Sequence, residues 1–111
     1  WADAQGMHLV SDEIYGAGVF EPGVEHVGLG KVAAERGRRL GNRAHVVYAL
    51  SKDFASSGLR VGTLYSENQP LLVAMNKLND FCQISAHTQH ALSSILSDEK
   101  WVVRHTCSSI P

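Results

Sequence analysis

His45-Val46-Val47-Tyr48-Ala49-Leu50 is a run rich in β-branched and aromatic residues, and Ser51-Lys52-Asp53 follows it directly. The run predicts a strand, and the lysine falls just past its end. Arg60 lies eight residues beyond Lys52, in Gly58-Leu59-Arg60-Val61-Gly62, and Leu59 to Tyr65 predicts a further strand. Upstream, Met7-His8-Leu9-Val10-Ser11 predicts a buried strand that begins after Gly6 and ends in the charges of Asp12-Glu13. Residues 16–23 hold three glycines and Pro22 and read as a loop. Leu29, Val32 and Ala33 have helical spacing, and Gly37 stops a helix over Leu29 to Arg36. Gln69 to Phe81 predicts a helix with Pro70 in its first turn and Leu71, Leu72, Met75 and Leu78 as a core stripe. Ser85 to Leu96 predicts another, with Ala91, Leu92, Ile95 and Leu96 on one side. Strand, helix, strand, strand, helix, helix is the order of an α/β fold, with a mixed but mostly parallel sheet and flanking helices.

The chain has 111 residues, room for one compact core. Apolar residues make up 44% and charged residues 19%, which excludes a disordered chain. Ten Lys+Arg against eleven Asp+Glu leave a net charge of −1, which argues against a dedicated nucleic-acid or membrane-surface protein. Apolar runs are too short to span a bilayer. Trp1-Ala2-Asp3-Ala4-Gln5-Gly6 reads as a helix tail, and Ile110-Pro111 follows an unfinished amphipathic stretch, so both ends are expected to be cut. Cys82 and Cys107 lie 25 residues apart without CxxC spacing. They are expected to be reduced, structural thiols of a cytoplasmic protein, with a disulfide left open.

In open α/β sheets, ligands sit outside the carboxyl ends of the strands. Asp12 and Lys52 are both expected to project there, with the Tyr15 phenol three residues beyond Asp12. These parts suit pyridoxal 5'-phosphate. A lysine amine condenses with its aldehyde to a Schiff base. A buried aspartate keeps the ring nitrogen protonated, so the ring becomes an electron sink. A tyrosine hydroxyl can bond the ring oxygen, and an arginine gives a phosphate two parallel hydrogen bonds. A lysine released from the cofactor can then act as general base, a role commonly worth about 10²–10⁴-fold.

On these residues the chain resembles the 1-aminocyclopropane-1-carboxylate synthases and their relatives among the fold-type-I pyridoxal phosphate enzymes, the superfamily of class I/II aminotransferases. The resemblance is carried by residues 8–15, 45–53 and 58–62, and by Thr88-Gln89-His90 with Leu96-Ser97-Asp98. It implies that residues 1–111 belong to the large cofactor domain, with the C-terminal edge approaching the small domain. It implies Lys52 as the catalytic, Schiff-base lysine, Asp12 as partner of the ring nitrogen, Tyr15 on the ring oxygen and Arg60 on the phosphate. It further implies a lyase acting on S-adenosylmethionine, releasing methylthioadenosine and closing a three-membered ring, or an aminotransferase sharing the same residues. The small-molecule substrate would be handled by a homodimer with sites at the subunit interface. The substrate-carboxylate arginine and the ring-stacking aromatic would lie outside these residues, so the isolated segment is expected to be inactive.

One departure from the pattern is Ala49, where the family usually has a phosphate-binding serine. Losing one hydroxyl bond to a phosphate weakens binding by roughly 1.5–3 kcal/mol. Ser51 is the substitute at hand, although neighbouring side chains alternate faces along a strand and its direction differs. A catalytically silent relative is therefore a third reading.

Plainer readings compete at each position. Lys52 alone would be a surface lysine, Asp12 a cap for the turn after it, Tyr15 core packing and Arg60 half of an ion pair. His87 and His90 share a helix face without a third metal ligand, so they are read as polar surface and no metal is expected. Lys31, Arg36, Arg38, Arg39 and Arg43 lack interleaved aromatics and are read as a solvated stretch. Gly28-Leu29-Gly30-Lys31 fails the phosphate-loop pattern because Glu25 and Val32 stand where Gly and Ser or Thr are needed.

Overall fold

The computed structural model describes residues 1–107, with the side chain of Cys107 outside the described set. The expectations for the Cys107 thiol and for Ile110-Pro111 therefore lie outside the described residues. Three strands form one sheet in the order β1 (Leu9–Asp12), β2 (Ala44–Ala49), β3 (Gly62–Ser66). β1 runs parallel to β2, with Asp12 opposite Val47. β3 runs antiparallel to β2, with Ala49 opposite Gly62 and His45 opposite Ser66. The sheet is thus mixed, and the parallel expectation holds for one of its two pairings. A parallel pair needs a crossover, and a short α1 (Leu29–Glu35) lies in the connection between β1 and β2. The antiparallel β2–β3 pair needs none.

Chain chemistry explains the element ends. Gly6 adopts φ +67°, and its N–H closes a 3₁₀ turn, Asp3–Gln5, on the Asp3 carbonyl. α2 (Gln69–Cys82) starts where the Asn68 side chain accepts the Leu71 N–H at 3.0 Å, with Pro70 in its first turn. α3 (Ala86–Leu96) starts on Ser85, whose hydroxyl accepts the Thr88 N–H at 3.1 Å. A fourth helix, α4 (Glu99–Cys107), occupies the stretch read as unfinished. Asp98 accepts the Trp101 N–H at 3.0 Å, with Glu99 in the first turn and Arg104 and His105 in the last, matching the helix dipole. The third strand begins later than the sequence suggests. Ser57–Leu59 forms a 3₁₀ turn and Arg60 takes a left-handed φ of +54°, which breaks the extended run before Gly62.

Burial corrects the core stripes. Leu50 is the one buried apolar residue among the described ones, beside the polar His45 and Ser66. Met75 is 40% exposed and Leu78 60%, so the α2 stripe is half-open beyond Leu71 and Leu72. Ile95 and Leu96 of α3 are equally open. The chain exposes 8368 Å², where a closed domain of this mass exposes about 6000 Å². It forms a slab of 42 × 41 × 20 Å. The basic stretch is exposed as expected, with Arg38 and Arg43 paired to Asp3 and Lys31 to Glu25. Cys82 is a free thiol but exposed, which overturns its structural reading. No helix among the described residues is long and apolar enough to cross a membrane.

Candidate functional site

β1 and β2 are parallel neighbours, so their carboxyl ends open on the same edge. The chain leaves β1 at Asp12 into residues 13–28 and leaves β2 at Ala49 into the turn that carries Lys52. Between these two segments lies a cleft of about 470 Å³, lined by Tyr15, Ala17, Phe20, Ser51, Lys52 and Asp53 among others. That volume is within the usual range for small-molecule sites, about 300–1,000 Å³.

Lys52 is exposed, and its Nζ stands 5.7 Å from the centroid of the Tyr15 ring. At that distance the ring face attracts an ammonium. Among the described residues no carboxylate lies within ion-pairing distance of the Lys52 amine. Tyr15 is 63% exposed, so core packing does not account for it. Ser51 also lines the cleft. Strand alternation does not govern its direction, because β2 ends at Ala49 and Ser51 sits in the following turn.

Asp12 and Arg60 are not brought into the lining of this cleft. Asp12 is exposed, and its Oδ1 accepts the Ile14 N–H at 3.2 Å, so it does cap the turn after β1. Arg60 is exposed and donates from Nη1 to the Ser57 carbonyl at 3.0 Å, within its own turn. The structure thus joins Lys52, Tyr15 and Ser51, with Asp12 at the end of the neighbouring strand and Arg60 in the turn before β3.

Several contacts around the cleft had no sequence signal of their own. The Tyr48 hydroxyl donates to Asp53 Oδ2 at 2.9 Å, and the Ala17 N–H donates to the same oxygen at 3.0 Å. Burial first, then the Asp53 carboxylate, pushes the Tyr48 phenol up to about 12. Phe54 stacks on Trp101 and His105, with centroids 6.1 and 5.4 Å away, which docks α4 on the lysine turn. Thr106 of α4 thereby joins the cleft lining. A strand residue bonding a turn residue five positions on has no periodicity that a sequence pattern would reveal.

Glu13 does different work. Its Oε1 accepts the Leu29 N–H at 2.7 Å and the Ser11 hydroxyl at 3.1 Å, so a carboxylate already sits at the start of α1. That backbone bond chiefly, helped by Ser11 and His26, holds the Glu13 carboxyl below its usual range. His87 and His90 are exposed on α3, and among the described residues no group of three or more His, Cys, Asp or Glu could hold a metal ion.

The sequence profile of the family described as Aminotransferase class I and II matches residues 1–107. The chain belongs to this family. It is similar to 1-aminocyclopropane-1-carboxylate synthase 11 of Arabidopsis thaliana, at 41% identity over 89% of this chain and 21% of that protein. It is similar to the synthase CMA101 of Cucurbita maxima at 38%, covering 92% of this chain and 22% of the relative. To synthase 3 of Solanum lycopersicum the identity is 39%, with coverages of 93% and 22%. This family member therefore spans about a fifth of the length of these relatives. Among solved structures, OvoB superposes with a TM-score of 0.69 over 96% of this chain and 28% of its own, at 21% identity. That likeness shows a shared α/β fold.

Proposed function

We propose that this chain supplies the lysine side of a pyridoxal phosphate site in an enzyme converting S-adenosylmethionine to 1-aminocyclopropane-1-carboxylate and methylthioadenosine. The observation that carries the reading is Lys52: an amine without a carboxylate partner among the described residues, facing a cleft, in a chain about 40% identical to named synthases. The donor set fits the cofactor. The cleft presents an amine, a phenol and the Ser51 hydroxyl, and Arg60 makes one described hydrogen bond out of five N–H donors. Asp12 stands at the end of the strand beside β2, where a carboxylate can meet a ring nitrogen once it leaves the Ile14 N–H.

The bound cofactor would supply an aldehyde for covalent attachment and a ring that takes up the electron pair left at the substrate α-carbon. Lys52 would hold the group through Nζ and, once released, would take the α-proton on that same atom. Tyr15 would donate its hydroxyl to the ring oxygen, and Arg60 and Ser51 would hold the phosphate. Ala49 has no hydroxyl to offer, so phosphate binding rests on the other donors. The whole protein would act as a cytoplasmic homodimer on a small-molecule substrate. In that assembly the open faces of this slab would be covered by the remaining polypeptide.

The test gives the full-length protein S-adenosylmethionine in one reaction and an amino acid with a keto acid in another. Ring-closed product with methylthioadenosine is the expected result. Amino-group transfer alone would replace the lyase reading with an aminotransferase. No turnover, together with no borohydride-trapped cofactor on Lys52, would mark a silent relative and sink the proposal.

A further inference from the structure

One carboxylate oxygen connects three parts of the cleft. Asp53 Oδ2 accepts the Tyr48 hydroxyl from β2 at 2.9 Å and the Ala17 N–H from the loop after β1 at 3.0 Å. Asp53 is the residue after Lys52, and Ala17 is the second residue after Tyr15. The two ends of this bond therefore lie one and two residues from the amine and the phenol that face each other at 5.7 Å. The Gly18 N–H bonds back to the Tyr15 carbonyl at 2.9 Å, so the loop is a tight turn and moves as a piece with Tyr15. On the other segment, the Ala55 N–H bonds the Lys52 carbonyl at 3.1 Å, so the lysine turn is also closed on itself. Among the described hydrogen bonds, the one from Ala17 to Asp53 is what joins these two turns.

We propose that Asp53 is a positioning residue, a latch whose Oδ2 fastens the Tyr15 turn to the Lys52 turn and so sets where the lysine amine stands. Tyr48 aims the latch. Its hydroxyl has Asp53 as its described acceptor, and its half-buried ring fixes that oxygen from the strand side. Charge-assisted bonds of this kind are among the stronger ones a partly exposed side chain makes. The cofactor consequence rests on the proposed function; the latch itself does not.

The experiment uses the full-length protein, with D53A, D53N and Y48F variants. Amide exchange at Ala17 reads the latch directly. The rate of Lys52 modification by trinitrobenzenesulfonate reads the amine without any cofactor. Labelling of Lys52 by pyridoxal phosphate and borohydride reads the site. In D53A, Ala17 exchange is expected to rise at least about tenfold, as a lost charge-assisted bond allows. The Lys52 modification rate should rise as the ring leaves the amine, and pyridoxal labelling should slow. D53N keeps an oxygen that can accept both bonds and should restore all three readouts towards wild type. Y48F keeps the Ala17 bond and should give a smaller change of the same sign, which decides the matter if D53A does not fold. Equal shifts in D53N and D53A would make Asp53 a source of charge and overturn the latch. Unchanged Ala17 exchange in D53A would overturn it as well. If wild-type Lys52 takes no pyridoxal label, the proposed function fails, and the exchange and trinitrobenzenesulfonate readouts still decide the latch.

Discussion

The two ends of β2 hold polar side chains in opposite circumstances. At the amino end, His45 is 3% exposed, and both its ring nitrogens have partners. Nε2 is 2.9 Å from His8 Nδ1, and Nδ1 is 2.8 Å from the Ser66 hydroxyl, whose oxygen also accepts the Asn68 N–H. The chain of contacts runs across the sheet from the residue before β1 to the last residue of β3. Buried polar groups are tolerated when satisfied, and a satisfied network pins one register. At the carboxyl end, Lys52 is exposed, faces an aromatic ring and has no described carboxylate partner. One end spends its polar groups on holding three strands together. The other leaves an amine available for chemistry.

Removing Lys52 should separate the two ends most sharply. K52A is expected to abolish pyridoxal labelling at this site, because among the described residues no other amine lines the cleft. Its unfolding midpoint should stay within the scatter of a surface substitution, about 0.5 kcal/mol. A large loss of stability would show that Lys52 holds the fold, and the contrast between the two ends would fail. Removing His45 should do the reverse. H45A strips two described hydrogen bonds from a buried position and should cost roughly 1–3 kcal/mol in urea unfolding. Lys52 in the folded fraction should still be labelled at the wild-type rate. A slowed rate would mean that the two ends are coupled through β2.

These contrasts also explain what could be read in advance. The strand at 45–50 and the helices at 69–81 and 85–96 were legible because side-chain type, capping residues and periodicity agreed there. Lys52 was legible because a lysine just past a strand end has a fixed address in an α/β sheet. Which pairing of the mixed sheet runs antiparallel was not, since nothing local in residues 59–66 states the direction of their pairing. The Arg60 turn escaped for a related reason: a left-handed non-glycine residue contradicts its own propensity and is settled by its neighbours. The stripe on Leu71, Leu72, Met75 and Leu78 correctly marks an apolar face, but periodicity does not say whether a partner covers it. Asp53 and Tyr48 meet only because the turn after β2 folds back, so their bond could not be seen before the fold.

Glu13 lies next to the candidate site and belongs to the structural side of the contrast. A methyl group at Gly28 would stand 2.6 Å from its Oε2, although Gly28 itself has an ordinary φ of −69°. G28A should therefore push the carboxylate off the Leu29 N–H and cost about 1 kcal/mol, the usual worth of a helix cap. The pH dependence follows from the direction of the shift. Glu13 is held below the ordinary carboxylate range when folded, chiefly by the Leu29 N–H. Its contribution is complete above the unfolded value and is lost as pH falls through the lowered folded one. E13Q should flatten the acid limb of stability against pH. If wild type and E13Q lose stability along parallel curves between the ordinary glutamate value and the lowered folded one, Glu13 is not the group responsible.

The smallest effect should come from the exposed pairs at the far edge. Arg38 and Arg43 lie 3.1 and 3.2 Å from the two oxygens of Asp3, and with them in place the Asp3 carboxyl is held below its usual range, first by the Arg38 hydrogen bond. All three side chains are solvated, so side-chain entropy and salt screening offset most of the attraction. R38A should raise the Asp3 titration midpoint seen by NMR, and the shift should shrink as salt is added. The unfolding midpoint should not move measurably. A clear loss of stability would mean that this edge is held as His45 is held, and strength of partnering would then fail to distinguish groups that keep the fold from groups that merely sit on it.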